Sequence, residues 1–86
     1  MSEDNRFILI GRSSCPFCVM AQDLLLASEK DFIFLDYCNN LEILEEYKDF
    51  HKQKTVPIIL ANEITTGLTE KIGGYTDLLN YLKLND

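Results

Sequence analysis

Cys15 and Cys18 stand two residues apart, with Pro16 and Phe17 between them, just after the apolar run at residues 7–10. Two thiols at that spacing can form half of a metal site, close a small structural disulfide, or exchange electrons as a dithiol–disulfide couple. A zinc site asks for four ligands. The chain offers no second Cys-x-x-Cys and no histidine pair, so Cys38 and His51 would have to complete the set. A disulfide framework fits poorly with three cysteines, an odd count. Redox catalysis is the reading that these residues favour.

The residue order also suggests how one thiol becomes reactive. With Cys15 as a helix N-cap, Pro16 takes the first helical position, where its missing N–H has no intrahelical partner to lose. Phe17 and Cys18 then present free N–H groups toward the cap side chain. A thiolate there accepts those bonds and faces the positive end of the helix dipole. Lowering a thiol pKa by ~3 units takes about 4 kcal/mol of preference for the anion. The dipole supplies roughly 0.3 to 1 kcal/mol, and up to ~2 when partly buried. Each hydrogen bond to a charged acceptor adds roughly 1.5 to 3 kcal/mol, so the amides carry most of the shift. Arg12 adds a nearby positive charge. Cys18 leans back toward the helix start, so it is expected to be buried, protonated and slower. Cys15 attacks; Cys18 resolves.

These residues need a frame. Residues 7–10 and 32–36 read as strands, and a helix opening at Pro16 would carry Phe17, Ala21, Leu24, Leu25 and Ser28 on one face. Asn39 or Asn40 could cap a second helix, with Leu41, Leu44, Tyr47 and Phe50 recurring at helical spacing. Residues 58–61 form a third strand, and a hairpin through Thr66-Gly67 returns a fourth that ends at Lys71-Ile72. Gly73-Gly74 breaks it, and Thr76 caps a last helix carrying Leu78, Leu79 and Leu82. The order β-α-β-α-β-β-α predicts an α/β fold, a four-stranded mixed sheet flanked by three helices. A strand, a loop and a Cys-x-x-Cys helix at its start make the arrangement thioredoxin-like.

Eighty-six residues are expected to form a single domain over 1–86. Fourteen acidic residues against eight basic ones give a net charge of −6, which disfavours a nucleic-acid partner. No run approaches the ~20 apolar residues of a membrane span. The start MSEDNRFILIG has neither a basic opening nor an apolar signal segment, so a cytoplasmic location is expected. In that reducing setting paired cysteines point to catalysis or metal rather than a permanent staple.

Three segments, GRSSCPFC at residues 11–18, TVP at 55–57 and IGGYTD at 72–77, together resemble a dithiol glutaredoxin. The short bacterial type that supplies electrons to ribonucleotide reductase is the nearest match, and the likeness covers nearly the whole chain. It implies reduction of protein disulfides and glutathione mixed disulfides, with glutathione as co-substrate and no permanently bound cofactor. It also implies a cis Val56-Pro57 bond that turns the Val56 amide toward the cysteine of a bound glutathione. Gly74, Tyr75, Thr76 and Asp77 would hold the γ-glutamyl end, with the aspartate accepting from its ammonium. Arg12, assisted by Lys54, would face the glycine carboxylate, and Thr55 and Pro57 complete the turn. Phe17 stands where the family usually has tyrosine, keeping an apolar wall without the hydroxyl. Disulfide-containing proteins, ribonucleotide reductase among them, are the implied partners of a monomer.

Other residues stay outside that pattern. Residues 61–71 make a longer hairpin than short members carry, read as a solvated extension unless it leans over the site. Cys38 is read as a packed thiol, with regulation the alternative. His51 lies too far along its helix to serve as a base, and a preformed thiolate needs none. Glu42, Glu45, Glu46 and Asp49 form a solvated face. Two rival functions remain. A glutathione-ligated [2Fe–2S] carrier is opposed by Pro16, and a redoxin reduced by a flavoprotein would leave Arg12 and GGYTD without a task.

Overall fold

An apolar run in a strand supplies side chains to both faces of a sheet, because successive residues point in opposite directions. That alternation organises the computed structural model, which describes residues 5–84. Phe7 and Leu9 enter one core with Ile59 and Ala61, and Ile10 enters a second with Ile58 and Leu60. The elements are β1 (Asn5–Gly11), α1 (Pro16–Ala27), β2 (Phe32–Asp36), α2 (Leu41–His51), β3 (Ile58–Glu63), β4 (Thr69–Gly73) and α3 (Tyr75–Leu84). The sheet order is β2-β1-β3-β4, with β1 parallel to β2 and antiparallel to β3, and β4 antiparallel to β3. This is the expected thioredoxin-like α/β fold.

Helices α1 and α3 cover the first face through Ala21, Leu25, Leu78 and Leu82, and α2 covers the second through Leu44. Both faces of the central strands are therefore dry, which is why β1 and β3 read as continuous apolar runs.

Several expected details differ. The buried stripe of α1 is Cys18, Ala21 and Leu25, while Phe17 is 54% exposed. The sulfur of Cys18 occupies the core position, and Phe17, one residue earlier, turns outward. On α2 only Leu44 is buried; Leu41 is 55% and Phe50 79% exposed. Residues 41, 44, 47 and 50 step by three, so each slips about 60° around the helix and the last sits about 180° from the first. They never shared one face. Asn40 does stand at the cap position of α2, though its side chain makes no capping bond. Thr76 does not cap α3, which starts at Tyr75; Asp77 Oδ2 reaches back to accept the Gly74 N–H at 2.9 Å.

The β3–β4 hairpin is settled by register. Asn5 pairs with Glu63, whereas Ile10 pairs with Ile58 beside Pro57. Six residues of strand therefore separate the two ends of β3, roughly 20 Å. The hairpin tip lies at the end of the sheet away from the cysteines, tied by Asn62 Nδ2 to Thr69 Oγ1 at 3.0 Å.

Candidate active site

The cysteines sit where β1 hands over to α1. Cys15 is the N-cap residue in extended conformation (φ −91°, ψ 121°), and Pro16 is the first helical residue. The carbonyl of Cys15 accepts the N–H groups of Cys18 and Val19, each at 3.1 Å, which starts the helix. As a thiol its Sγ makes no capping bond and instead points at the Val56 carbonyl, 3.9 Å away. Burial alone pushes the Cys15 thiol up. The N–H of Cys18, the Cys18 thiol, the N–H of Phe17 and the charge of Arg12 together outweigh it, and the group is held below its ordinary value. Amides dominate over charge, as the helix-mouth arithmetic requires.

Cys18 is fully buried and Cys15 keeps 7% of its surface. Burial pushes the Cys18 thiol up to about 12, with the neighbouring Cys15 sulfur adding to the rise and the Arg12 N–H working against it. The two sulfurs are thus separated in readiness: one ionises easily at the rim, the other holds its proton beneath it. Both are free thiols.

Three turns converge on this pair. The Arg12–Ser14 loop is held by Asp36 at the end of β2, whose Oδ1 accepts the N–H of Ser13 at 2.9 Å and of Cys38 at 3.0 Å. Ser13, through its N–H and hydroxyl, and then the Cys38 N–H draw the Asp36 carboxyl below its ordinary range. The second turn contains the cis Val56-Pro57 bond. Gln53, set just after the left-handed cap residue Lys52, donates its Nε2 to the carbonyls of Thr55 at 3.0 Å and Pro57 at 2.8 Å. The third turn is Gly73-Gly74. Gly73 has φ +123°, and a Cβ there would run into the Asp77 carboxylate. A Cβ on Gly74 would lie 3.9 Å from the Pro57 carbonyl, so this turn abuts the previous one.

The structure brings together Arg12, Cys15, Cys18, Val56 and Pro57, with Gly74 and Asp77 across the Pro57 turn. Phe17 and Tyr75 meet with ring centroids 6.2 Å apart, joining the start of α1 to the start of α3. Thr76 and Asp77 lie in the first turn of α3, where N–H groups lack intrahelical partners. Lys54 and Thr55 are exposed. Lys54 lines a hollow of about 630 Å³ with Glu45, Lys48, Asp49, Lys52 and Gln53, a lining that does not include Cys15. His51 stacks on Tyr47 at 6.4 Å, and no group of three or more metal-ligating side chains occurs among the described residues. The four acidic residues of α2 are exposed. Cys38 is half-buried.

Asp36 and Gln53 are the supporting residues that the sequence reading did not single out. An acidic residue closing a strand and a glutamine after a helix carry no local signature. The Gly73 signal was visible as a doublet, but not its second task of leaving room for Asp77.

The glutaredoxin family model matches residues 7–64, well over half of the chain. Glutaredoxin 1 of Escherichia coli (strain K12) is 34% identical over 86 aligned residues, which cover 91% of this chain and 93% of that protein. The solved structure of reduced Escherichia coli glutaredoxin overlays with a TM-score of 0.67 at 29% identity, covering 93% of this chain and 95% of that one. The solution structure of the dithiolic glutaredoxin from Trypanosoma brucei brucei gives 0.73 at 28% identity, covering 96% and 82%.

Proposed function

The chain belongs to the glutaredoxin family of thiol–disulfide oxidoreductases, and on that footing we propose that glutathione is its electron source. Its substrates are protein disulfides and glutathione mixed disulfides. The observation that carries this reading is the placement of Cys15: at the mouth of α1, below its ordinary pKa, and against the Val56 carbonyl. An extended peptide laid along Val56 can pair with its amide in strand fashion while its own cysteine meets Cys15.

Ionised Cys15 attacks a substrate disulfide, forming a mixed disulfide as the first substrate thiolate leaves and is protonated by water. Cys18 loses its proton and attacks the Cys15 sulfur. The Cys15–Cys18 bond forms, the second substrate thiolate leaves, and two electrons have passed to the substrate. One glutathione thiolate then opens the bond at Cys15, restoring the Cys18 thiol. A second takes the glutathionyl group away as oxidised glutathione.

In this reading Arg12 faces the glycine carboxylate of glutathione, Phe17 and Tyr75 wall its middle, and the N–H groups of Thr76 and Asp77 hold the γ-glutamyl carboxylate. Asp77 divides its labour: Oδ2 takes the Gly74 N–H, and the other oxygen meets the ammonium. Thr55, Val56 and Pro57 supply the backbone edge, while Lys54 contributes only a peripheral charge. The client class includes ribonucleotide reductase, and the protein works as a cytoplasmic monomer. No helix among the described residues is long and apolar enough to cross a membrane.

The test is glutathione-coupled reduction of a small mixed disulfide. Cys15→Ser is expected to abolish it, and Cys18→Ser to retain the one-thiol reaction. Turnover that survives Cys15→Ser overturns the assignment.

A further inference from the structure

The geometry points to Gly11 as a positioning residue for the second chemical step: its bare Cα seats the sulfur of Cys18. A Cβ built on Gly11 would collide with Cys18 Sγ, while Cys18 Cβ would stay 3.7 Å away. The conflict therefore lies with the sulfur and not with the helix backbone. Gly11 has an ordinary φ, so alanine strains nothing in its own conformation. Its backbone also cannot retreat. Gly11 is the last residue of β1, paired with Asp36, and its carbonyl accepts the Tyr37 N–H at 2.8 Å. On the other side Pro57 Cα would lie 3.7 Å from the new methyl. The movable atom is Sγ of Cys18, and the adjoining Arg12 N–H is the donor that steadies that sulfur when it ionises. The same strand end thus fixes both the place and the donor of the resolving thiol.

This role rests on the proposed function only for its biological use, because the step itself can be followed without glutathione. An aromatic disulfide such as dithiobis(nitrobenzoate) reacts with ionised Cys15 to give a mixed disulfide and one coloured thiolate. Cys18, on losing its proton, attacks the Cys15 sulfur, closes the Cys15–Cys18 bond and expels the second coloured thiolate. In Gly11→Ala the first release is expected to slow by no more than it does in Cys18→Ala, which removes outright the thiol that helps to hold Cys15 ionised. The second should slow by about ten- to a hundredfold, the loss that a displacement near 1 Å brings to a reacting atom. The double variant Gly11→Ala/Cys18→Ala, which removes the sulfur, should melt at the temperature of Cys18→Ala and match its first-release rate.

Equal slowing of both releases, or no slowing of either, overturns the inference. So does a double variant that is destabilised, or fails to fold, relative to Cys18→Ala, since the methyl would then conflict with something other than sulfur. Absence of glutathione-coupled turnover in the unaltered protein would defeat the proposed function and leave these two releases to be judged separately.

Discussion

Asp36 grips Ser13 across the gap between two strands, its Oδ1 accepting the Ser13 N–H at 2.9 Å, and the same oxygen takes the Cys38 N–H. The loop that delivers Cys15 to the mouth of α1 is therefore anchored from β2, an element with no part in the chemistry. Removing the carboxylate frees two amides at once. Asp36→Ala is expected to slow alkylation of Cys15 by about three- to tenfold, the scale of one or two modest hydrogen bonds. Asp36→Asn keeps an acceptor oxygen and should recover most of the rate. Iodoacetamide kinetics at neutral pH decide it, and equal loss in both variants would point to charge rather than to the hydrogen bonds.

The pH dependence follows from the two cysteine shifts. Cys15 is held below its ordinary value, so its reactivity persists at neutral pH and declines only as pH falls through that lowered pKa. Its linkage has the same sign: ionisation of Cys15 stabilises the reduced protein fully above the unfolded thiol value near ~8.5. That contribution is lost as acid protonates the folded thiol. Cys18 has the opposite sign. With its pKa pushed up to about 12, the unfolded chain ionises first, and stability falls as pH climbs from the unfolded value toward the folded one. Denaturant melts of reduced protein should show Cys18 lowering stability on the alkaline side. Alkylation mapped by mass should find Cys15 modified well ahead of Cys18 at neutral pH.

At the third turn, Gly73 combines a left-handed φ of +123° with the space that Asp77 needs. Gly73→Ala is expected to cost ~1–3 kcal/mol in stability from the backbone alone. At the proposed glutathione site, the displaced Asp77 carboxylate should also raise the KM for that substrate. Gly74→Ala, whose Cβ would meet nothing closer than 3.9 Å, is the milder change. A melting comparison of the two separates the positions, and equal stability would contradict the reading of Gly73.

Leu44 is the buried side chain by which α2 joins the second core, with Tyr47 packed beside it, whereas the larger Phe50 is 79% exposed. Leu44→Ala should therefore cost about 2–5 kcal/mol, and Phe50→Ala within about 0.5 kcal/mol of nothing. Chemical denaturation of the two variants tests which residue holds the helix down.

The contrast between Leu44 and Phe50 marks where sequence reading succeeds. Cys15 and Pro16 were legible because helix-start chemistry is local: cap, first residue and free amides lie within four positions. The apolar runs of β1 and β3 were legible because both sheet faces are covered. The α2 stripe failed because spacing by three resembles a face over two turns and departs from it over three. The cap of α3 was misplaced because a glycine at the cap position leaves no side chain to read, and Asp77 does the work from inside the helix. Asp36 and Gln53 were invisible for a different reason. Their partners are backbone amides and carbonyls that any residue type supplies, so nothing at positions 13, 55 or 57 announces the bond.

The β3–β4 hairpin, at the end of the sheet remote from Pro57, has a practical meaning. Exposed Ile64 and Leu68 sit on a handle that points away from the working thiols. A linker grafted at Leu68, whose side chain is 70% exposed, would tether the molecule to an electrode or bead with its reactive end facing outward.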